Sequence, residues 1–199
     1  MPKILFSNAS PYSAKVRMAA AQGGIGFESV AIDMNAAPDV LLQANPLGKI
    51  PVLIPDEGEA IYDSRVITQF LNRECKGSLF PRNAAKRLDA ERMEALCDGI
   101  CDALLAHVYE RRSRPEELVH QPWLDKQWNK VTSALDVLNS QTISLPSRIH
   151  VGHLALRAML AYLALRFEGK WERNRSKLTR WAKRFDAKFP ELAAYLPQS

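Results

Sequence analysis

The apolar positions change period several times before residue 80. Residues 3–6 form a short apolar run with strand character, stopped by Ser7-Asn8-Ala9-Ser10-Pro11. Behind Pro11, Val16, Ala19 and Ala20 recur at helical spacing in an alanine-rich segment that ends at Gly23-Gly24. Alternation returns over 27–32 and predicts a second strand, and a short helix over 38–43 ends before Asn45-Pro46. Residues 51–54 and 59–62 predict two more strands across a turn at Asp56-Glu57-Gly58. Asp63 and Ser64 then cap a helix whose buried face holds Val66, Ile67, Phe70 and Leu71. The predicted order is β-α-β-α-β-β-α, a complete small α/β unit.

The pattern then turns helical throughout. Residues 77–83, with Pro81, read as a linker, and helices are predicted over 86–111, 122–139, 151–167 and 177–189. This shift marks an α/β domain over 1–78 and an all-α domain over 86–199. With 47% hydrophobic and 25% charged residues among 199, the chain has a soluble globular composition and can bury a real core. Its longest apolar stretch, 154–165, is interrupted by Arg157 and too short to cross a bilayer. The start lacks the apolar centre of a secretory signal. Cys75, Cys97 and Cys101 cannot all pair within one chain and form no zinc pattern, so a reducing cytoplasm without a metal is expected.

The net charge of +5 alters the picture only late, where cations crowd from Arg166 to Lys188. Leu178, Trp181, Phe185 and Phe189 recur there at near-helical spacing. The cations therefore read as the solvated face of an amphipathic helix rather than a nucleic-acid surface.

Three constellations carry candidate chemistry. In Ser10-Pro11-Tyr12-Ser13-Ala14-Lys15-Val16-Arg17, Ser10 stands at a helix N-terminus, where unpaired N–H groups favour an anion. Ser10 is equally well read as a plain N-cap. In Asn45-Pro46-Leu47-Gly48-Lys49-Ile50-Pro51-Val52-Leu53, a cis Ile50-Pro51 bond would turn the Ile50 backbone toward an extended peptide ligand; a trans proline opening an edge strand is the alternative. Asp63-Ser64 pairs a carboxylate with a hydroxyl at a second helix start, suited to an amino acid's charged groups or simply to capping.

Together, in this order and within this frame, the three resemble the glutathione-binding domain of glutathione S-transferases, particularly the serine-type theta, zeta and related bacterial groups. The resemblance implies a thioredoxin-like N-terminal domain, an all-α C-terminal domain and the cytosolic glutathione transferase architecture. It implies that Ser10 donates a hydrogen bond to the glutathione sulfur and that Ile50, before Pro51, pairs its backbone with the cysteinyl part. Asp63 and Ser64 would hold the γ-glutamyl end, and Lys49 would either meet the glycyl carboxylate or stand as an exposed loop lysine. A second pocket for a small hydrophobic electrophile or peroxide would lie against Tyr12 and Tyr109, with His107, Arg111 and Arg112 nearby. Glutathione is then a co-substrate, no metal is needed, and a homodimer is expected. A non-catalytic binding protein and a glutathione-dependent isomerase or dehalogenase are the other readings. Arg17 is expected in a structural salt bridge, and Asp98 and Asp102 on a solvated helix face. One departure stands out: His150-Val-Gly-His153 replaces the Ser/Thr-x-x-Asp capping box at the start of the central C-terminal helix.

Overall fold

The computed structural model describes residues 1–34, 36 and 38–198. Strand β1 (Lys3–Phe6) leads into helix α1 (Pro11–Gln22), followed by β2 (Glu28–Ala31), α2 (Asp39–Ala44), β3 (Val52–Ile54) and α3 (Ser64–Glu74). The sheet order is β2-β1-β3: β1 runs parallel to β2 from Lys3↔Glu28 and antiparallel to β3 from Lys3↔Ile54. This is a thioredoxin-like domain with a small sheet, and an all-helical domain follows it. Helix α4 (Ala84–Ser113) and a 3-10 turn (Glu116–Leu118) precede α5 (Gln121–Ser140), α6 (Val151–Phe167), α7 (Ser176–Lys188) and α8 (Pro190–Ala193).

Two expectations change. The fourth strand shrinks to a single antiparallel bridge in which Ile61 and Leu53 exchange backbone hydrogen bonds of 2.8 and 3.0 Å. Asp63 begins capping α3 two residues later, which leaves no length for a ladder. Helix α3 buries Ser64, Ile67, Thr68 and Leu71, whereas Val66 is exposed and Phe70 half-buried. Those four follow i, i+3, i+4, i+7, and Val66 falls off that stripe.

Helix α1 explains its own alanines. Ala14, Val16, Met18, Ala19 and Ala20 are all nearly inaccessible to water, because the helix packs against α3 and α6. Every residue of α6 from 151 to 163 is buried, so the long apolar stretch is a core helix. Its interrupting Arg157 forks onto Asp186 of α7 through Nε (2.6 Å) and Nη2 (2.7 Å), a bidentate pair that makes the buried cation tolerable. The predicted amphipathic terminal helix buries Leu178, Trp181, Phe185 and Phe189. The connection between the two halves is tied down: Asn72 Oδ1 accepts from the backbone of Leu79 and Phe80, and Val151 N–H donates to Leu79 C=O at 2.9 Å.

Candidate functional site

Ser10 ends the loop after β1 with extended backbone, and Pro11 opens α1 behind it. Its Oγ accepts the Ser13 N–H at 3.2 Å, so the hydroxyl serves as a cap. A hydroxyl oxygen that accepts in this way keeps its own proton to donate. Ser10 is half-buried on the wall of a cavity of about 620 Å³ that α4 and α6 close from the other side. Tyr12, Lys49, Ile50 and Tyr109 line the same cavity.

A second groove, about 330 Å³, adjoins it and is lined by Pro51, Asp63, Ser64 and Arg65. Tyr12, Lys49, Ile50 and Asp102 belong to both spaces. The sequence-derived residues therefore gather in two adjoining compartments. The Ile50–Pro51 bond is cis, as is Tyr62–Asp63. Asp63 Oδ1 accepts from the N–H groups of Arg65 (3.0 Å) and Val66 (3.4 Å), and Ser64 is buried beside it. The loop carrying Lys49 and Ile50 is held from beneath by buried Asn45, whose Nδ2 donates to Lys49 C=O at 2.8 Å and whose Oδ1 accepts from Leu47 N–H at 3.0 Å. An asparagine before proline is a turn signal that marks this role in the sequence.

Of the two acids expected on a solvated face, Asp102 is exposed but Asp98 is not. Asp98 is buried and accepts from Lys15 Nζ (2.7 Å) and Arg65 Nε (2.9 Å). Lys15 also meets Glu94 Oε1 at 3.0 Å, and Thr68 Oγ1 donates to that same oxygen at 3.2 Å. Burial pushes the Glu94 carboxyl up against the pull of Lys15, while the bond to Asp98 holds the Arg65 guanidinium even more firmly charged. Lys15 went unread in the sequence, although its spacing to Met18 and Ala19 sets it on the apolar face of α1. Its acid partners Glu94 and Asp98 could not be matched to it, because a charged triad spread over two elements carries no local motif.

Asp102 accepts the Tyr12 hydroxyl. Burial, the neighbouring Cys101 and that bond drive the phenol far above its ordinary range, so Tyr12 stays protonated, its proton given to Asp102 and its oxygen left to accept. Among the described residues Arg17 forms no salt bridge; its guanidinium lies 4.0 Å from the centroid of the Phe6 ring and 4.8 Å from that of Tyr195, and burial lowers its pKa. His107 points away from the cavity into an aromatic cluster, 5.5 Å from Phe167, and Arg111 donates to Gln121 at 3.0 Å. Tyr109 and Arg112, one turn apart on the other face of α4, reach the cavity instead.

At the start of α6, His153 fills the acid's place in the capping box: its Nδ1 accepts the His150 N–H at 3.2 Å. Among the described residues no group of three or more His, Cys, Asp or Glu side chains is arranged to hold a metal ion.

A sequence model of the glutathione S-transferase N-terminal domain matches residues 5–78. The chain is 31% identical to the GST-like protein YibF of Escherichia coli K12 over 168 residues, 82% of this chain and 83% of that one. A glutathione S-transferase of Methylobacterium radiotolerans, solved in complex with glutathione sulfonate, superposes with a TM-score of 0.91 at 32% identity and covers 100% of this chain and 95% of that chain. One from Methylobacillus flagellatus KT with bound glutathione gives 0.88 at 34% identity, with 100% of both chains covered.

Proposed function

Since the chain belongs to the glutathione S-transferase family, we propose that it binds glutathione in the groove beside Ile50 and activates the thiol for attack on an electrophile in the adjoining cavity. The observation that carries this reading is the Ser10 hydroxyl, which accepts from Ser13 and keeps its proton free at the N-terminus of α1. A free thiol ionises near pH ~8.5, and only the thiolate is a good nucleophile. Lowering that value by about two units takes roughly 2.7 kcal/mol in favour of the anion. One hydroxyl donor and the positive end of a helix are of that order. Ser10 is the stabiliser and the ligand's sulfur is the attacking atom.

In this reading residues 1–78 hold glutathione and 86–199 supply the facing wall of the second pocket. Ile50, presented by Pro51, pairs with the cysteinyl backbone, Asp63 and Ser64 take the γ-glutamyl group, and Lys49 takes the glycyl carboxylate. Tyr12, its hydroxyl proton given to Asp102, stands at the border of the two compartments, and Tyr109 lines the electrophile side. The three cysteines are free thiols, in keeping with work in a reducing cytoplasm. The exposed apolar side chains of Tyr62 and Val66, beside Asp63, are in keeping with a homodimer, which sedimentation would detect.

Calorimetry with glutathione, together with thiolate absorbance, tests the proposal. The wild type should bind and show a thiolate signal, and Ser10→Ala should retain binding but lose that signal. Failure of the wild type to bind would turn the reading toward a scaffold that has kept the fold without the chemistry.

A further inference from the structure

The far end of the larger cavity has a charge pattern that thiol activation does not use. Tyr109 and Arg112 lie one turn apart on α4, Tyr162 and Arg166 lie one turn apart on α6, and all four line the same space. Neither arginine has an ion-pair partner among the described residues. Neighbouring cations are engaged: Arg114, just beyond the end of α4, meets Glu110 at 3.0 Å through Nε, and Arg111 Nη2 donates to Gln121 at 3.0 Å. Arg112 instead lies 5.8 Å from the centroid of the Tyr109 ring. Both guanidiniums oppose the burial that pushes the Tyr162 phenol up to about 12, and the hydroxyl there stays neutral.

Each arginine also sits in the last turn of its helix, where a cation complements the dipole. That accounts for a cation at each helix end; it does not account for both facing one cavity with a tyrosine a turn before each. The lining acids are Asp33 and Asp102, and Asp102 is already engaged by Tyr12.

We propose that this end of the cavity selects electrophiles that carry a carboxylate, gripped by Arg112 and Arg166 while Tyr109 and Tyr162 pack against the apolar body. The inference rests on the transferase reading above. A planar guanidinium meets a carboxylate through two parallel N–H bonds, and two such forks fix the orientation of a small molecule as well as its affinity. With the anionic end held at α4 and α6, the reactive carbon faces back toward Ser10. For an aryl chloride the step balances without a further reactant. The thiolate forms the C–S bond, the C–Cl bond breaks, and chloride leaves with its electron pair while the thiol proton passes to solvent.

The test uses a chlorodinitrobenzoate, with chlorine para to the carboxylate, and its methyl ester. Each is turned over with glutathione, and kcat/KM is divided by the uncatalysed rate in buffer. The wild type should prefer the acid, with the preference weakening as salt rises. The Arg112→Gln/Arg166→Gln double variant should lower the acid-to-ester ratio about tenfold or more. Arg114→Gln, which changes a cation outside the cavity, should leave the ratio where it is. Equal normalised rates for acid and ester in the wild type, or an unchanged ratio in the double variant, would overturn the selectivity while leaving glutathione activation intact. If neither probe reacts although calorimetry shows glutathione bound, the carboxylate inference falls; if glutathione itself does not bind, the proposed function falls with it.

Discussion

Lys15 has almost no contact with water, and its ammonium is shared between Glu94 and Asp98. A buried charge of this kind adds little net stability, but removing one partner strands the others. Lys15→Met leaves two carboxylates facing each other in the interior, and urea denaturation should show a loss of about 3–5 kcal/mol. Adding Glu94→Gln and Asp98→Asn should recover most of that loss, because no buried charge would then lack a partner and Arg65, which loses Asp98, is exposed to water; a triple variant as unstable as the single one would contradict this account. Single residues also mark how far the sequence could be read. Ser10, Ile50-Pro51 and Asp63-Ser64 stand out because each works within a contiguous stretch whose backbone geometry is local. Lys15 and Asp98 are 83 positions apart, and nothing in either segment announces the other. Arg17 was misplaced for a related reason, since one of its two aromatic partners, Tyr195, comes from the far end of the chain.

Helix α6 is the element on which the two halves lean, and its first turn carries two exposed assumptions. Gly152 lies where a Cβ would come within 2.8 Å of the Ala90 carbonyl oxygen and 2.9 Å of Met93 Cβ. Gly152→Ala must push α4 and α6 apart, and a cost of about 1–3 kcal/mol is expected by thermal or chemical unfolding. His153, buried at this turn and near His150, is held neutral with a pKa of about 3 against an ordinary 6.5. The unfolded chain therefore takes up a proton below pH ~6.5 that the folded chain refuses until much lower pH. Stability from this group is full above that point and declines by about 1.4 kcal/mol per pH unit as pH falls toward the folded value. His153→Asn keeps an acceptor for the His150 N–H and should remove that slope; a pH profile of unfolding unchanged by the substitution would refute the assignment. The helices were legible almost to their ends, because amphipathic periodicity and caps such as Asp63 are written in order along the chain. The strand expected over 59–62 was not, because alternation states only a capacity to pair, and the early cap at Asp63 uses up the length a ladder would need.

The whole molecule has one principal hydrophobic cluster that runs from Ile4 and Phe6 through α1 to α4, α6 and α7. Two segments that read as separate domains in sequence thus share an interior, and they should unfold together. All four tryptophans lie beyond residue 120, in the helical half, whereas far-ultraviolet circular dichroism reports on both halves. The two signals should trace a single superimposable transition in urea, and a second phase seen only by dichroism would show the halves to be independent. The Gln198 N–H donates to Asn8 C=O at 3.0 Å, so residues near the end of the chain also help to line the cavity beside Ser10. Tyr12, Lys49, Ile50 and Asp102 form a common partition between the groove and the cavity. Whatever settles against one side of that partition alters the shape and hydrogen bonding available on the other. Occupancy of the two spaces is then thermodynamically linked: the factor by which the first molecule changes the affinity of the second must equal the factor by which the second changes that of the first.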